Sequence, residues 1–351
     1  MRTEKERTRW RRTRSLAIAA LVSCASAIVV FSASCSGERG PGRLIRIAIG
    51  GQTQMVYLPT TLAQELGFYK EEGLEVELQD FEGGAKALQA LIGGSADVVS
   101  GYYDHTIQMA AEQRAFVAFV NMLRYPGLVL VTSPQSAAKV GNIRALEGRI
   151  AGVTTPGSST HMFLTFLLAR HQVPVDSVSV TAIGSGAAAV AAIESGRIDA
   201  AWLAEPAFTL VKKRNPTIRV LADLRTEEGT TEAFGVATYP SAVLYSSADW
   251  LRTNRDTAAR LARSIVKTLD WMKSHSEQEI ADKTPKALRG ADDALYVEAL
   301  KGSRAMFSVD GMMTSDGAAS VLRVLEGSLP KVRNGAIDLS KTYTNDFVLA
   351  R

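Results

Sequence analysis

Residues 84–99 (GAKALQALIGGSADVV) and 186–201 (GAAAVAAIESGRIDAA) match at a constant offset of 102 residues, and no other feature of the 351-residue chain limits its fold so tightly. Gly84 meets Gly186, Leu88 meets Val190, Leu91 meets Ile193, Gly94 meets Gly196 and Asp97 meets Asp199. The segment upstream keeps this register, Val76 and Leu78 falling on Val178 and Val180. With one residue of slip, Ile47-Ala48 falls on Ile150-Ala151. A period this long excludes a solenoid and gives each copy the length of a small α/β unit. Two related lobes are expected.

Within each copy a short apolar strand, a helix, a second strand, an Ala/Leu-rich helix and a strand after Gly-x-x-Asp follow one another. In lobe one these fall at 44–49, 60–70, 74–79, 85–93 and 96–100. Strands alternating with helices predict a parallel sheet covered on both faces. Gly94 and Gly196 suit the ends of the preceding helices, and Asp97 and Asp199 suit turns or sheet edges. Residues 249–282 carry apolar positions spaced by three and four, the pattern of an amphipathic helix, with Trp250, Trp271 and Met272 on its core face.

The chain's net charge of +4 suggests nucleic acid until its origin is traced. Residues 1–15 hold seven Lys/Arg against two Asp/Glu, and residues 16–34 hold no charge, which leaves residues 35–351 at −1. Such a body has no electrostatic footprint for a phosphate backbone, so nucleic-acid binding is disfavoured. The basic head, the apolar run 16–34 and the small residues before Cys35 read as an export signal over residues 1–35, with 36–43 as a tether. A retained N-terminal anchor is the alternative. Both cysteines lie in this leader, so no intramolecular disulfide staples the folded body. Their context is similar to the lipobox of bacterial lipoproteins. Leu21-Val22-Ser23-Cys24 fits it letter by letter, whereas Cys35 leaves the shorter polar tether and is preferred as the lipidated residue.

The body resembles the periplasmic substrate-binding proteins of ABC importers, in the branch that binds aliphatic sulfonates, taurine, nitrate and thiamine-pyrimidine precursors. The resemblance rests on Leu58-Pro59, on residues 65–76 (ELGFYKEEGLEV), on Gly94-Ser95-Ala96-Asp97-Val98 and on Leu146-Glu147-Gly148-Arg149-Ile150. It continues through Gly157-Ser158-Ser159-Thr160, Gly196-Arg197-Ile198-Asp199-Ala200 and Glu205-Pro206, and covers residues 44–330 in order. It implies a bilobal α/β fold of type II, with two lobes joined by a two-crossing hinge and ligand held between them. The crossings are expected near 132–136 and 229–239, giving lobe one as 44–132 plus 236–351 and lobe two as 133–235. It further implies a small-molecule ligand, a permease and an ATPase as partners, and a lipid-anchored position outside the cytoplasmic membrane. A monomer without cofactor or metal is expected.

Ligands of open α/β sheets sit beyond the carboxyl ends of the strands, so the polar loops there are the candidates. The first loop offers Gln52, Thr53 and Gln54, with Tyr57 at the entry to the next helix. The second offers Tyr102, Tyr103 and Asp104; the tyrosines equally suit packing on lobe one, and Asp104 equally suits an N-cap. The third, Gly157-Ser158-Ser159-Thr160, presents hydroxyls and free N–H groups at a positive helix end, a site for an anion. The fourth offers Trp202 and Glu205, joined by Ser185, with Glu205 either receiving a ligand amine or serving a structural partner. None of these loops contains Lys or Arg, which favours a singly charged or neutral ligand over a dianionic phosphate. With no Cys in the body, thiolate nucleophiles and thiolate metal ligands are absent, and no turnover is expected. A desulfinase, a thiamine-pyrimidine synthase or a ligand-occupancy sensor on the same fold are the alternatives.

Overall fold

The computed structural model describes residues 44–350; the export-signal and lipidation expectations for residues 1–35, Cys24 and Cys35 included, and the tether to residue 43 lie outside them. Ten strands follow in chain order: β1 (Ile45–Ile49), β2 (Val76–Asp80), β3 (Val98–Tyr102), β4 (Phe116–Asn121), β5 (Leu128–Thr132), β6 (Ile150–Val153), β7 (Ser179–Ala182), β8 (Ala200–Ala204), β9 (Val220–Asp223) and β10 (Ala242–Ser247). They form two five-stranded sheets, ordered β2-β1-β3-β10-β4 and β7-β6-β8-β5-β9. In each, three parallel strands meet an antiparallel fourth that the chain delivers on crossing between sheets, β10 into the first and β5 into the second. β3, β5 and β8 are buried along their whole length, as strands covered on both faces must be.

Between the strands run α1 (Leu58–Glu65), α2 (Phe68–Glu71), α3 (Gly84–Ile92), α4 (Asp104–Ala111), α5 (Ser159–Arg170), α6 (Gly186–Glu194), α7 (Ala207–Arg214) and α8 (Glu227–Phe234). The helix expected over 60–70 is broken in two at Gly67, whose φ of 77° is left-handed. Gly94 and Gly196 also take positive φ, the conformation that closes a helix end. Asp97 and Asp199 accept the main-chain N–H of Arg46 and Ile150, each tying the start of its lobe's third strand to its first.

Three expectations need correction. The repeat slips by two residues at its first strand, not one: Ile47 pairs with Val98, and Ala151 with Ala200, the counterpart of Val98. Side chains alternate along a strand, so a one-residue slip would turn the apolar face outward, whereas a two-residue slip preserves it. Residues 128–132, assigned to lobe one, form β5 in the second sheet, so the chain changes sheets between Asn121 and Leu128 and returns between Asp223 and Ala242. The single helix expected over 249–282 is three: α9 (Ala248–Thr253), α10 (Arg255–Ser274) and α11 (Glu277–Lys283), the last opened by a capping box between Ser276 and Glu279. Met272 is buried, while Trp250 and Trp271 pack on the core with one edge exposed.

The chain continues through α12 (Lys286–Arg289), α13 (Asp293–Ser303) and α14 (Ser315–Ser328). α14 packs along α5 and also touches α4, so a C-terminal helix spans elements of both sheets. Phe163 of α5 is the hub of an aromatic cluster, with Tyr102, Trp202, Phe234 and Tyr239 at 5.1 to 6.1 Å between ring centres. No helix among the described residues is long and apolar enough to cross a membrane.

Candidate ligand-binding cleft

Where the carboxyl ends of the parallel strands face each other, a narrow cavity of about 10 Å³, room for one water, lies between the two sheets. Gly50, Gln54, Tyr57, Gly84 and Tyr102 form one wall, Thr154, Ser158, Ser159 and Thr160 the other, and Leu128 stands where the chain crosses. No lysine or arginine lines it. The first wall is thin because two backbones touch: a Cβ on Gly50 would stand 2.9 Å from the Gly84 Cα and 3.0 Å from the Tyr57 hydroxyl.

Helix starts set the electrostatics. α3 begins at Gly84 and α5 at Ser159, so two N-termini open on the cavity from opposite sheets, each with first-turn N–H groups left over by the helical pattern. Behind the α5 start, three hydroxyls lock together. Thr154 Oγ1 lies 2.7 Å from Ser158 Oγ and 3.0 Å from Thr160 Oγ1, and Thr160 Oγ1 accepts the Thr154 N–H at 3.0 Å. The Tyr57 hydroxyl has no hydrogen-bond partner among the described residues, and burial pushes its pKa upward, so it stays a neutral donor. Thr155 Oγ1 and His105 Nε2 are buried nearby without hydrogen-bond partners among the described residues. His105 lies against Gly84, and burial pushes its pKa down to about 4, so its ring is neutral at physiological pH. The arrangement offers many neutral donors, two helix dipoles and no fixed cation, which is chemistry for an acceptor-bearing solute of low charge.

Six of the fourteen candidates therefore line the cavity: Gln54, Tyr57, Tyr102, Ser158, Ser159 and Thr160. Asp104 is fully buried behind it, accepting from Ser159 Oγ at 2.9 Å and from the Tyr239 hydroxyl at 3.3 Å, so one carboxylate bridges α4, α5 and the returning crossing. Burial raises its pKa to about 7. Thr53 lies against Gly186, and Ser185 against Gly51, where the sheets' loops meet. Gln52 donates its main-chain N–H to Asp80 and its side-chain amide to Thr61, and Gly157 donates to His161 Nδ1. Tyr103 points elsewhere, its hydroxyl 2.6 Å from Thr342 Oγ1. Trp202 is buried in the aromatic cluster.

Glu205 takes the structural alternative. It is 1% exposed, pairs with Arg225 at 2.8 Å and accepts from Thr209, while burial raises its pKa. Its main-chain carbonyl receives the Met55 N–H at 2.9 Å, a bond between the two halves. Sequence reasoning missed Gly84 and Leu128 as cavity walls. Gly84 carried a signal, since both copies of the repeat open a helix on glycine after a strand.

Two sheets of one strand order, crossed twice by the chain and opening on a shared cavity, form the bilobal periplasmic-binding-protein fold. The family model described as NMT1/THI5 like matches residues 54–279, and the chain belongs to that family. A solved protein from Bordetella bronchiseptica RB50 is 36% identical, with a TM-score of 0.84 over 88% of this chain and 96% of that one. YtlA of Bacillus subtilis (strain 168), which bears the name of a binding protein, is 23% identical over 254 residues, 71% of this chain and 72% of its own. The alkanesulfonate-binding protein SsuA from Xanthomonas axonopodis pv. citri, solved with MOPS, is 15% identical and shares the fold, with a TM-score of 0.67 over 87% of this chain and 99% of that one.

Proposed function

We propose that this chain captures a small, singly charged or neutral solute bearing hydrogen-bond acceptors, outside the cytoplasmic membrane, and delivers it to an ABC permease and its ATPase. The observation that carries the ligand class is the cavity wall: hydroxyls and two helix N-termini from opposite sheets, with no cationic side chain. Sulfonates, nitrate and pyrimidines fit that description, and the name of the SsuA relative supports the first. Cys35, or Cys24 in its place, anchors the chain through lipid after export. A body without cysteine offers no thiolate nucleophile, and His161, the histidine beside the α5 start, spends its Nδ1 on the Gly157 N–H, which favours binding without turnover.

Thermal unfolding of the purified protein against taurine, alkanesulfonates, nitrate, bicarbonate and aminopyrimidines tests the reading. A solute at one hundred times its dissociation constant adds about 2.7 kcal/mol, a shift of several degrees. A saturable shift with one class names the substrate group. A phosphate monoester binding far more tightly than its sulfonate analogue, or conversion of the bound solute to product, overturns it.

A further inference from the structure

A second hollow of about 140 Å³ lies apart from the cleft, between α10, α11, α13 and residues 304–309, and is open to solvent. Its floor is core: Leu269, Met272, Ile280 and Leu300 are each at most 3% exposed. Native interiors tolerate few voids larger than a water molecule, because lining atoms without neighbours forfeit dispersion contacts. An apolar hollow of about 140 Å³ is smaller than a drug-sized site but has room for a compact apolar body, as engineered cavities of about 150 Å³ hold benzene.

Charge decides what it takes. Arg124, Lys273 and Arg304 all line the hollow. The Arg304 guanidinium is held in place by Nη2, which donates to the carbonyls of His275 at 2.8 Å and Lys273 at 3.2 Å. Its Nη1 is buried and makes no hydrogen bond; its one counter-charge among the described residues is Glu277, at 3.5 Å. Arg124 is tethered through Nη2 to the Ala305 carbonyl at 2.9 Å and lies over the Tyr125 ring, with no carboxylate paired to it among the described residues. Three cations against one carboxylate at the mouth of an apolar hollow match a single anionic head on an apolar body.

We propose that this hollow is a second ligand site, taking a compact apolar monoanion such as a medium-chain carboxylate or sulfonate. It stands independently of the cleft and its solute.

Calorimetric titration of the purified protein with sodium octanoate, in detergent-free buffer, tests the proposal beside octanol and octylammonium chloride. Octanoate binds one to one, octanol at least tenfold more weakly, and octylammonium not at all. Arg124→Gln and Lys273→Gln, both exposed and outside the cleft, each weaken octanoate at least threefold, whereas the cleft variant Tyr57→Phe leaves it unchanged. Absence of saturable octanoate binding, equal binding of octylammonium, or loss through Tyr57→Phe but not through the charge variants overturns the proposal.

Discussion

A buried phenol without a hydrogen-bond partner is a donor held ready for something else, and among the described residues Tyr57 is placed that way at the cavity wall. Removing its hydroxyl breaks no hydrogen bond among the described residues, so Tyr57→Phe separates binding from stability. It should weaken the solute by about 1 kcal/mol, between three- and tenfold, while the unfolding temperature stays within a degree; a stability loss with unchanged affinity would contradict the assignment. Neighbouring residues show how far a sequence can place side chains. Ser158, Ser159 and Thr160 were legible because a hydroxyl run at a helix start is a local pattern with a local consequence. Tyr102 and Tyr103 are adjacent and chemically alike, yet one lines the cavity and the other reaches Thr342, 239 residues on. Glu205 was ambiguous for the same reason: its partner, Arg225, is brought to it by the fold.

At the scale of elements, Asp104 joins α4, α5 and the returning crossing through one buried carboxyl. Burial holds its pKa near 7, above the value of about 4 for an unfolded chain. An acid raised in the folded state favours folding while protonated and loses that contribution as pH rises toward and through 7. His105 opposes it at lower pH: its neutral ring, with pKa near 4, costs stability as pH falls from about 6.5. The two nearly offset below pH 6.5, and above it only Asp104 still changes. His105 is common to both proteins, so Asp104→Asn should match the wild type near pH 4, where the acid is protonated folded or unfolded, and exceed it increasingly up to pH 8, by a few degrees in unfolding temperature, measured by calorimetry at both values; a pH-independent difference would refute this. The elements themselves were largely legible, since period-two and period-3.6 patterns are local. What escaped was where they break: the Ser276 capping box overrides an apolar spacing that runs on unbroken through residues 249–282.

For the whole molecule, the internal repeat announced two lobes, and the matching strand orders follow from it. The exchange of strands between sheets was not legible, because β5 reads as an apolar strand equally suited to either. The body's lack of cysteine turns the closed arrangement into something that can be locked. Gly83, in extended backbone at the start of α3, would place a Cβ 3.4 Å from the Thr155 Cβ across the cleft, a separation close to that of a disulfide. The most direct measurement is solute binding by a Gly83→Cys, Thr155→Cys protein lacking residues 1–35, and with them both natural cysteines, before and after reduction. If solute enters between lobes that must part, the oxidised protein neither takes up nor releases it, and reduction restores both. Equal affinity and exchange rate in the two states would contradict a site between the lobes.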